Sequence, residues 1–334
     1  LSTEFIRGLD NYSVDTSRKT VVTIGTFDGI HLGHQAILKR VREATRETGL
    51  EAVLVTFHPH PRVVVSPDDV PMLLTTVEEK EQFIPDFFDG HVLVLEFNKQ
   101  LRNMTAEEFV QRVLIDKLNV ARLIVGYDHG FGRNREGTTE VLRSMGEKFG
   151  YELEVVPPVL CDDEVVSSSR VRRAINEGHW DEARKLLGHE YAIFGYVERG
   201  IGLGHKIGYP TANVRYSHRK LLPPAGVYAC WVQHNGTPRD GMMFIGQNYF
   251  NPVEGVTVEA NLFDFDKEIY DEEIIVFASD FVRHNRRFPS TDALVDQIKK
   301  DKERVLKILR KEKKNGSNEG KEGGVDRKES PSRN

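Results

Sequence analysis

The sequence predicts an α/β domain on a largely parallel sheet, followed by an antiparallel β-barrel. Two observations carry this. In the first half, apolar runs at 21–24, 52–57, 91–97, 123–125 and 152–156 alternate with stretches of helical periodicity, as strands linked by crossover helices do. From Tyr191 the pattern changes to short β-rich runs at 192–197, 227–233, 242–245, 256–263 and 274–277, separated by Gly and Pro turns with no helical pattern between them. The change falls at 188–190, so the expected domains are 1–188 and 189–310, and 334 residues suffice for both.

Composition narrows the class. Hydrophobic residues make up 39% and charged residues 29%, as in soluble globular proteins. A net charge of −5 argues against a general nucleic-acid binder, while leaving room for a local basic phosphate site. No apolar run approaches transmembrane length and the start lacks a secretory layout, so no membrane partner is expected. Cys161 and Cys230 lie far apart and form no C-x-x-C pair. That speaks against a zinc knuckle or redox motif and for a reducing cytoplasm. No pattern specifies an oligomeric state.

Residues 1–20 are mixed and polar, an entry strand or arm. The organising stretch is VVTIGTFDGIHLGHQAILKR at 21–40. It reads as a buried strand, a loop punctuated by Gly25, Gly29 and Gly33, and a helix with Ile37, Val41 and Ala44 at helical spacing. Glycine lets backbone N–H groups approach an anion, and a helix start adds partial positive charge. The loop also carries Asp28 and the H-x-G-H pair His31 and His34. A lone imidazole is more often a hydrogen-bonded structural residue. A pair beside a helix start can stabilise charge on a pentacoordinate phosphorus, with no nucleophile from the protein.

The strand at 52–57 ends in Phe57-His58-Pro59-His60-Pro61, whose prolines stop the strand and stiffen the loop. Its histidines either decorate a rigid turn or wall a ligand site. Thr76-Val77-Glu78-Glu79 and Thr105-Ala106-Glu107-Glu108 are capping boxes, each opening a helix. Pro85 is expected to kink or end the first; the second buries Phe109, Val113, Leu114 and Leu118. In such sheets ligands gather at the carboxyl ends of strands. There, after 123–125, stands Gly126-Tyr127-Asp128-His129-Gly130-Phe131-Gly132-Arg133, a plain turn or a ligand loop. After 152–156 and Pro157-Pro158, Val166-Ser167-Ser168-Ser169-Arg170-Val171-Arg172 opens a helix, as an N-cap or an anion cradle. Two short helices reach Leu187.

In the second half, GIGLGHKIGYPTAN at 200–213 is glycine-rich, but its setting is not the strand–helix context of a dinucleotide fingerprint. On the strand at 256–263, Thr257, Glu259 and Asn261 share one face and Val258, Ala260 and Leu262 the other. Glu259 is either a solvent-facing charge or the base that phosphoryl transfer to a hydroxyl requires. A helix at 291–309 covers the barrel with Leu294, Ile298, Val305 and Ile308. Residues 311–334, rich in Gly, Ser, Lys and Glu, are expected to form a disordered tail.

IGTFDGIHLGHQ resembles the H-x-G-H motif of the nucleotidyltransferase superfamily. Its F-D-G-x-H-x-G-H-Q form resembles the bacterial bifunctional riboflavin kinase/FMN adenylyltransferase (FAD synthetase) family. The histidine–proline turn, the 126–133 loop, the serine run, GYPTAN at 208–213, LPPAGVY at 222–228 and VEANLFDF at 258–265 are similar to that family's other motifs, so the resemblance covers about 20–310. It implies a Rossmann-like nucleotidyltransferase domain with a parallel sheet and a riboflavin kinase barrel. It implies that riboflavin is phosphorylated to FMN with ATP, and FMN adenylylated to FAD with a second ATP, releasing pyrophosphate. Glu259, His31 and His34 would be catalytic. Gly25, Phe27, Asp28, Gly33, His60, Asp128, Ser168, Ser169 and Arg172 would bind the adenylyltransferase nucleotide. Gly204, Lys206, Gly208, Thr211 and Asn213 would bind the kinase ATP, with Thr211 and Asn213 at a Mg²⁺ ion. The chain departs from the family pattern at His129, Gly130, His205, Gln247-Asn248 and Asn261. The alternatives are an enzyme retaining one activity, or a non-catalytic flavin-binding protein.

Overall fold

A computed structural model describes residues 3–13, 18–133, 136–200, 202–247 and 255–318. By contacts the chain forms two compact units. One comprises Leu1–Leu73 and Lys80–Ser168; the other comprises Leu74–Glu79 and Ser169–Asn334. The contact division at Ser168 and Ser169 falls ahead of the boundary read from the sequence. Ile201 and Asn248, part of the kinase-like motifs, lie outside the described residues.

The first unit is an α/β layer structure. Its strands are β1 (Glu4–Arg7), β2 (Thr20–Ile24), β3 (Glu51–His58), β4 (His91–Glu96), β5 (Val120–Gly126) and β6 (Glu152–Val156). They form one sheet in the order β1-β4-β3-β2-β5-β6, every pair parallel. The polar arm supplies β1, which pairs with β4. All of β2 is buried, as the continuous apolar run requires of a central parallel strand. Alternate residues of one sheet face, among them Val22, Val53, Leu93 and Leu123, pack on Phe109, Val113, Leu114 and Leu118. Helix Leu32–Thr48 buries Leu38, Val41 and Ala44 and packs on β2 and β5.

Two details differ from the sequence reading. Helix Val77–Phe87 runs through Pro85 and ends only after it, because the proline falls in the last turn. There it disturbs few further helical hydrogen bonds. A small hairpin, β7 (Leu160–Cys161) and β8 (Glu164–Val165), follows β6 and was too short to leave a periodic signal.

The second unit holds a closed six-stranded barrel of order β10-β13-β12-β11-β14-β9, antiparallel throughout. Its strands are β9 (Tyr191–Glu198), β10 (Ala212–Tyr216), β11 (Gly226–His234), β12 (Thr237–Gly246), β13 (Thr257–Leu262) and β14 (Glu273–His284). β10 was hidden in the sequence because it starts inside the GYPTAN motif. Val305 and Leu309 of helix Thr291–Asn318 pack with Val227, Ala229, Phe263 and Val282 of the barrel. That helix continues through Asn318, past the expected tail start, because 311–314 are Lys and Glu, good helix formers. Helix Trp180–Leu187 turns Trp180, Ala183, Leu186 and Leu187 inward, and Trp180 Nε1 donates to the Ser279 carbonyl at 2.6 Å.

Leu74–Glu79 forms a buried polar knot with the barrel chain. Glu79 Oε2 lies 2.7 Å from Lys220 Nζ, and Lys220 also donates to the Leu74 carbonyl at 2.6 Å. Glu79 further accepts the N–H groups of Phe194 and Thr76, and Thr76 Oγ1 accepts the Glu79 N–H, so the expected capping box is formed.

Candidate active sites

In the first unit the chain leaves β2 at Ile24 and turns sharply before helix Leu32–Thr48. Phe27 (φ 47°) and Ile30 (φ 42°) adopt left-handed backbone that non-glycine residues disfavour. Their side chains, 1% and 0% exposed, hold them there. His31 precedes the first helical turn, which carries no acidic residue, so the positive helix end remains available to an anion. The rings of His31 and His34 stack with centroids 3.8 Å apart. A Cβ on Gly33 would stand 3.2 Å from the His31 ring, which accounts for the glycine between them.

His34 Nδ1 is enclosed and makes no hydrogen bond among the described residues. Burial, then the charges of His31 and Lys80, push its pKa well below the ordinary imidazole value, so the ring is neutral at neutral pH. Ser168 Oγ donates to the Asp28 carbonyl at 2.8 Å, which ties the serine run to the H-x-G-H loop.

These residues line a cavity of about 640 Å³. Its walls come from the carboxyl ends of β2, β3, β4, β5 and β6, around the point where strand order reverses between β2 and β5. Gly25, Phe27, His31, Gly33, His34, His60, Asp128 and Ser168 all line it. Asp28 is buried beneath the loop, at 1% exposure. Ser169 and Arg172 are not among the lining residues; they lie on helix Ser168–Asn176, in the part grouped with the second unit. Arg170 is buried and bonded to Glu182 at 2.9 Å, a structural pairing. His129, at one of the departures, also lines the cavity and packs its ring 5.6 Å from Phe131.

In the barrel, register places Asn213 of β10 opposite Glu259 of β13. Thr211 Oγ1 donates to Glu259 Oε2 at 3.2 Å. Two positions along β13, on the same face, Asn261 Nδ2 donates to the Pro210 carbonyl at 2.6 Å and so anchors the loop that carries Thr211. Gly204 comes so close to this loop that a Cβ would meet the Tyr209 carbonyl at 2.3 Å. Gly204, Thr211, Asn213, Glu259 and Asn261 line one cavity, and Thr211 also borders a second with His205. Lys206 and Gly208 are exposed and line neither. A hydroxyl, an amide oxygen and one carboxylate are hard donors suited to a divalent cation that is also held by substrate phosphates.

Sequence reasoning missed three features of these sites. Arg283 grips Asp301 bidentately at the kinase-like cavity, with Nε to Oδ2 at 2.8 Å. Asn285 Nδ2 donates to the Ile245 carbonyl at 2.9 Å. Lys80 Nζ donates to the Thr26 carbonyl at 2.6 Å, behind the H-x-G-H loop. Only Arg283 left a signal: Phe281-Val282-Arg283 resembles the closing segment of the kinase-like motifs, although its partner Asp301 is not legible there.

Residues 13–170 match a family model described as FAD synthetase, and residues 187–309 one described as riboflavin kinase. A bifunctional riboflavin kinase/FMN adenylyltransferase of Pseudomonas fluorescens is 37% identical over 299 residues, covering 89% of this chain and 95% of its own. One from Buchnera aphidicola is 34% identical over 314 residues, covering 92% and 99%. A crystal structure described as a macrolide-efflux protein from Streptococcus pneumoniae matches with a TM-score of 0.78 at 32% identity, covering 92% of this chain and 99% of that one.

Proposed function

Because this chain belongs to the bifunctional riboflavin kinase/FMN adenylyltransferase family, we infer that it makes FAD from riboflavin in two ATP-dependent steps at two sites. The observation that carries the reading is that residues 13–170 and 187–309 each match one of the two enzyme models, with a cavity in each matched region lined by part of its motif residues, His31, His34 and Ser168 in the first and Gly204, Thr211, Asn213 and Glu259 in the second.

At the kinase site, Glu259 takes the proton of the ribityl 5′-hydroxyl as that oxygen attacks the γ-phosphate of ATP, the bond to the β–γ bridging oxygen breaks and ADP leaves. Thr211 orients the carboxylate through the 3.2 Å contact. Gly204 and the GYPTAN loop, with Lys206 and Gly208, border the ATP phosphates. The oxygens of Thr211 and Asn213 would hold Mg²⁺, which neutralises phosphate charge when bound.

At the adenylyltransferase site, the FMN phosphate attacks the α-phosphate of a second ATP and pyrophosphate leaves. His31 and His34 stabilise the charge that develops, with the helix start behind them. Gly25, Phe27, Asp28, Gly33, His60, Asp128 and Ser168 shape this nucleotide site; for Ser169 and Arg172, on the helix that Ser168 opens, nucleotide binding rests on the motif resemblance alone. Displacement is direct, with no covalent intermediate on the protein. We take the modules as 1–188 and 189–310, acting on small molecules in the cytoplasm, where ATP is supplied, with neither nucleic acid nor membrane as partner. The efflux description belongs to the Streptococcus protein; among the described residues here, no helix is long and apolar enough to cross a membrane.

The test is a time course with riboflavin and ATP, separating FMN and FAD by chromatography. FMN that rises first and is then converted to FAD is the expected result. FMN without FAD indicates one retained activity, and tight flavin binding without ATP consumption indicates a binding protein.

A further inference from the structure

Helix Val77–Phe87 carries a cation, Lys80, in its first turn, where the helix end is already positive. The side chain is 7% exposed, and its ammonium donates to the Thr26 carbonyl at 2.6 Å. The same carbonyl accepts the Thr56 hydroxyl at 3.3 Å. Thr26 opens the turn that contains the left-handed Phe27 and leads to His31 and His34.

A trans peptide sets its N–H opposite its carbonyl. Fixing the Thr26 oxygen on the Lys80 side therefore turns the Phe27 N–H to the other side, and so sets the first peptide of a strained loop. Thr26 and Phe27 line the cavity, and Lys80 does not. The ammonium thus acts from behind the loop without reaching the ligand space, and its field also reaches His34.

We propose that Lys80 is a positioning residue for FMN adenylylation, pinning the Thr26 carbonyl so that the phosphate-facing backbone and the histidine pair are held in place before nucleotide arrives. The proposal rests on the adenylyltransferase reading of this cavity.

The test compares wild type, Lys80→Met and Lys80→Arg in the full chain, assaying FAD formation from FMN and FMN formation from riboflavin. Methionine keeps the bulk of the stem and removes the donor; arginine keeps donor and charge. Expected for Lys80→Met is a loss of about tenfold or more in kcat for FAD formation, with KM values within about twofold and riboflavin phosphorylation unchanged. Lys80→Arg should recover most of that kcat, whereas a role in packing alone would favour methionine over arginine. Unchanged kcat in Lys80→Met, or better activity in Lys80→Met than in Lys80→Arg, overturns the proposal. If Lys80→Met fails to fold, Lys80→Gln decides: its shorter, neutral side chain lacks the ammonium, so a folded variant supports the proposal if kcat for FAD formation falls with KM and riboflavin phosphorylation unchanged, and overturns it if that kcat is unchanged. A wild-type chain that makes no FAD from FMN refutes the underlying functional reading instead.

Discussion

Thr211 Oγ1 and Glu259 Oε2 meet at 3.2 Å, from the loop ahead of β10 to the strand β13 paired with it. The contact orients the one carboxylate on the ligand-facing side of this strand pair. Glu259→Gln keeps the shape and removes the proposed base. Riboflavin phosphorylation should fall by roughly 10² to 10⁴ in kcat, while FAD formation from supplied FMN persists. Assay of each half-reaction on the same preparation checks this, and equal loss of both would contradict two independent sites.

The stacked imidazoles of the first module predict the reverse lesion. His31→Ala or His34→Ala should lower FAD formation from FMN by roughly 10² to 10³, the usual cost of losing one preorganised donor. Phosphorylation of riboflavin should be untouched, as product analysis under single-substrate conditions would reveal.

Asn261 holds the Pro210 carbonyl at 2.6 Å. Asn261→Ala loses a bond contributing about 1 kcal/mol and frees the loop that carries Thr211. Asn261→Asp should be worse, since it sets an anion against that carbonyl on the same strand face as Glu259. An ATP titration of the kinase reaction should show KM rising in the order wild type, Ala, Asp.

His34 predicts a pH dependence of stability. Its folded pKa lies well below 6.5, for reasons of burial and then of the neighbouring His31 and Lys80. In the unfolded chain the imidazole takes up a proton as pH falls through about 6.5, while the folded ring stays neutral. The unfolded state then binds more protons, so this group lowers stability progressively below that pH and contributes no slope above it. Denaturant unfolding at several pH values between about 5 and 8, compared with His34→Gln, should show a shallower acid decline in the variant.

Glu79 and Lys220 are 0% and 1% exposed at the side chain. Lys220→Met leaves the carboxylate buried without its cation and should cost about 3–5 kcal/mol in urea unfolding of the second unit. Adding Glu79→Gln, which retains the capping geometry without the charge, should return much of that loss. Absence of any recovery in the double variant would show that the pair is not energetically coupled.

The local features were legible early because they depend on neighbours in sequence. Both capping boxes, the strands at 21–24 and 152–156 and the burial of Phe109, Val113 and Leu114 follow from periodicity and side-chain reach. Glu79 was read correctly as the last residue of a capping box, yet its lysine lies 141 positions away and leaves no trace in local pattern. β10 was missed because it starts inside the glycine- and proline-bearing GYPTAN motif, which obscures alternation. Lys80 was passed over because its partner is a backbone carbonyl, and a carbonyl has no letter in a sequence.

By itself the sequence determined the two modules, their fold classes and the chemistry-bearing residue types, since motif spacing and hydrophobic period are properties of the chain. Only the tertiary structure decided which oxygen faces Thr211, which carbonyl Asn261 and Lys80 hold, and which side chains share a cavity. Those are set by strand register and loop path, where a shift of one residue turns a side chain to the opposite face.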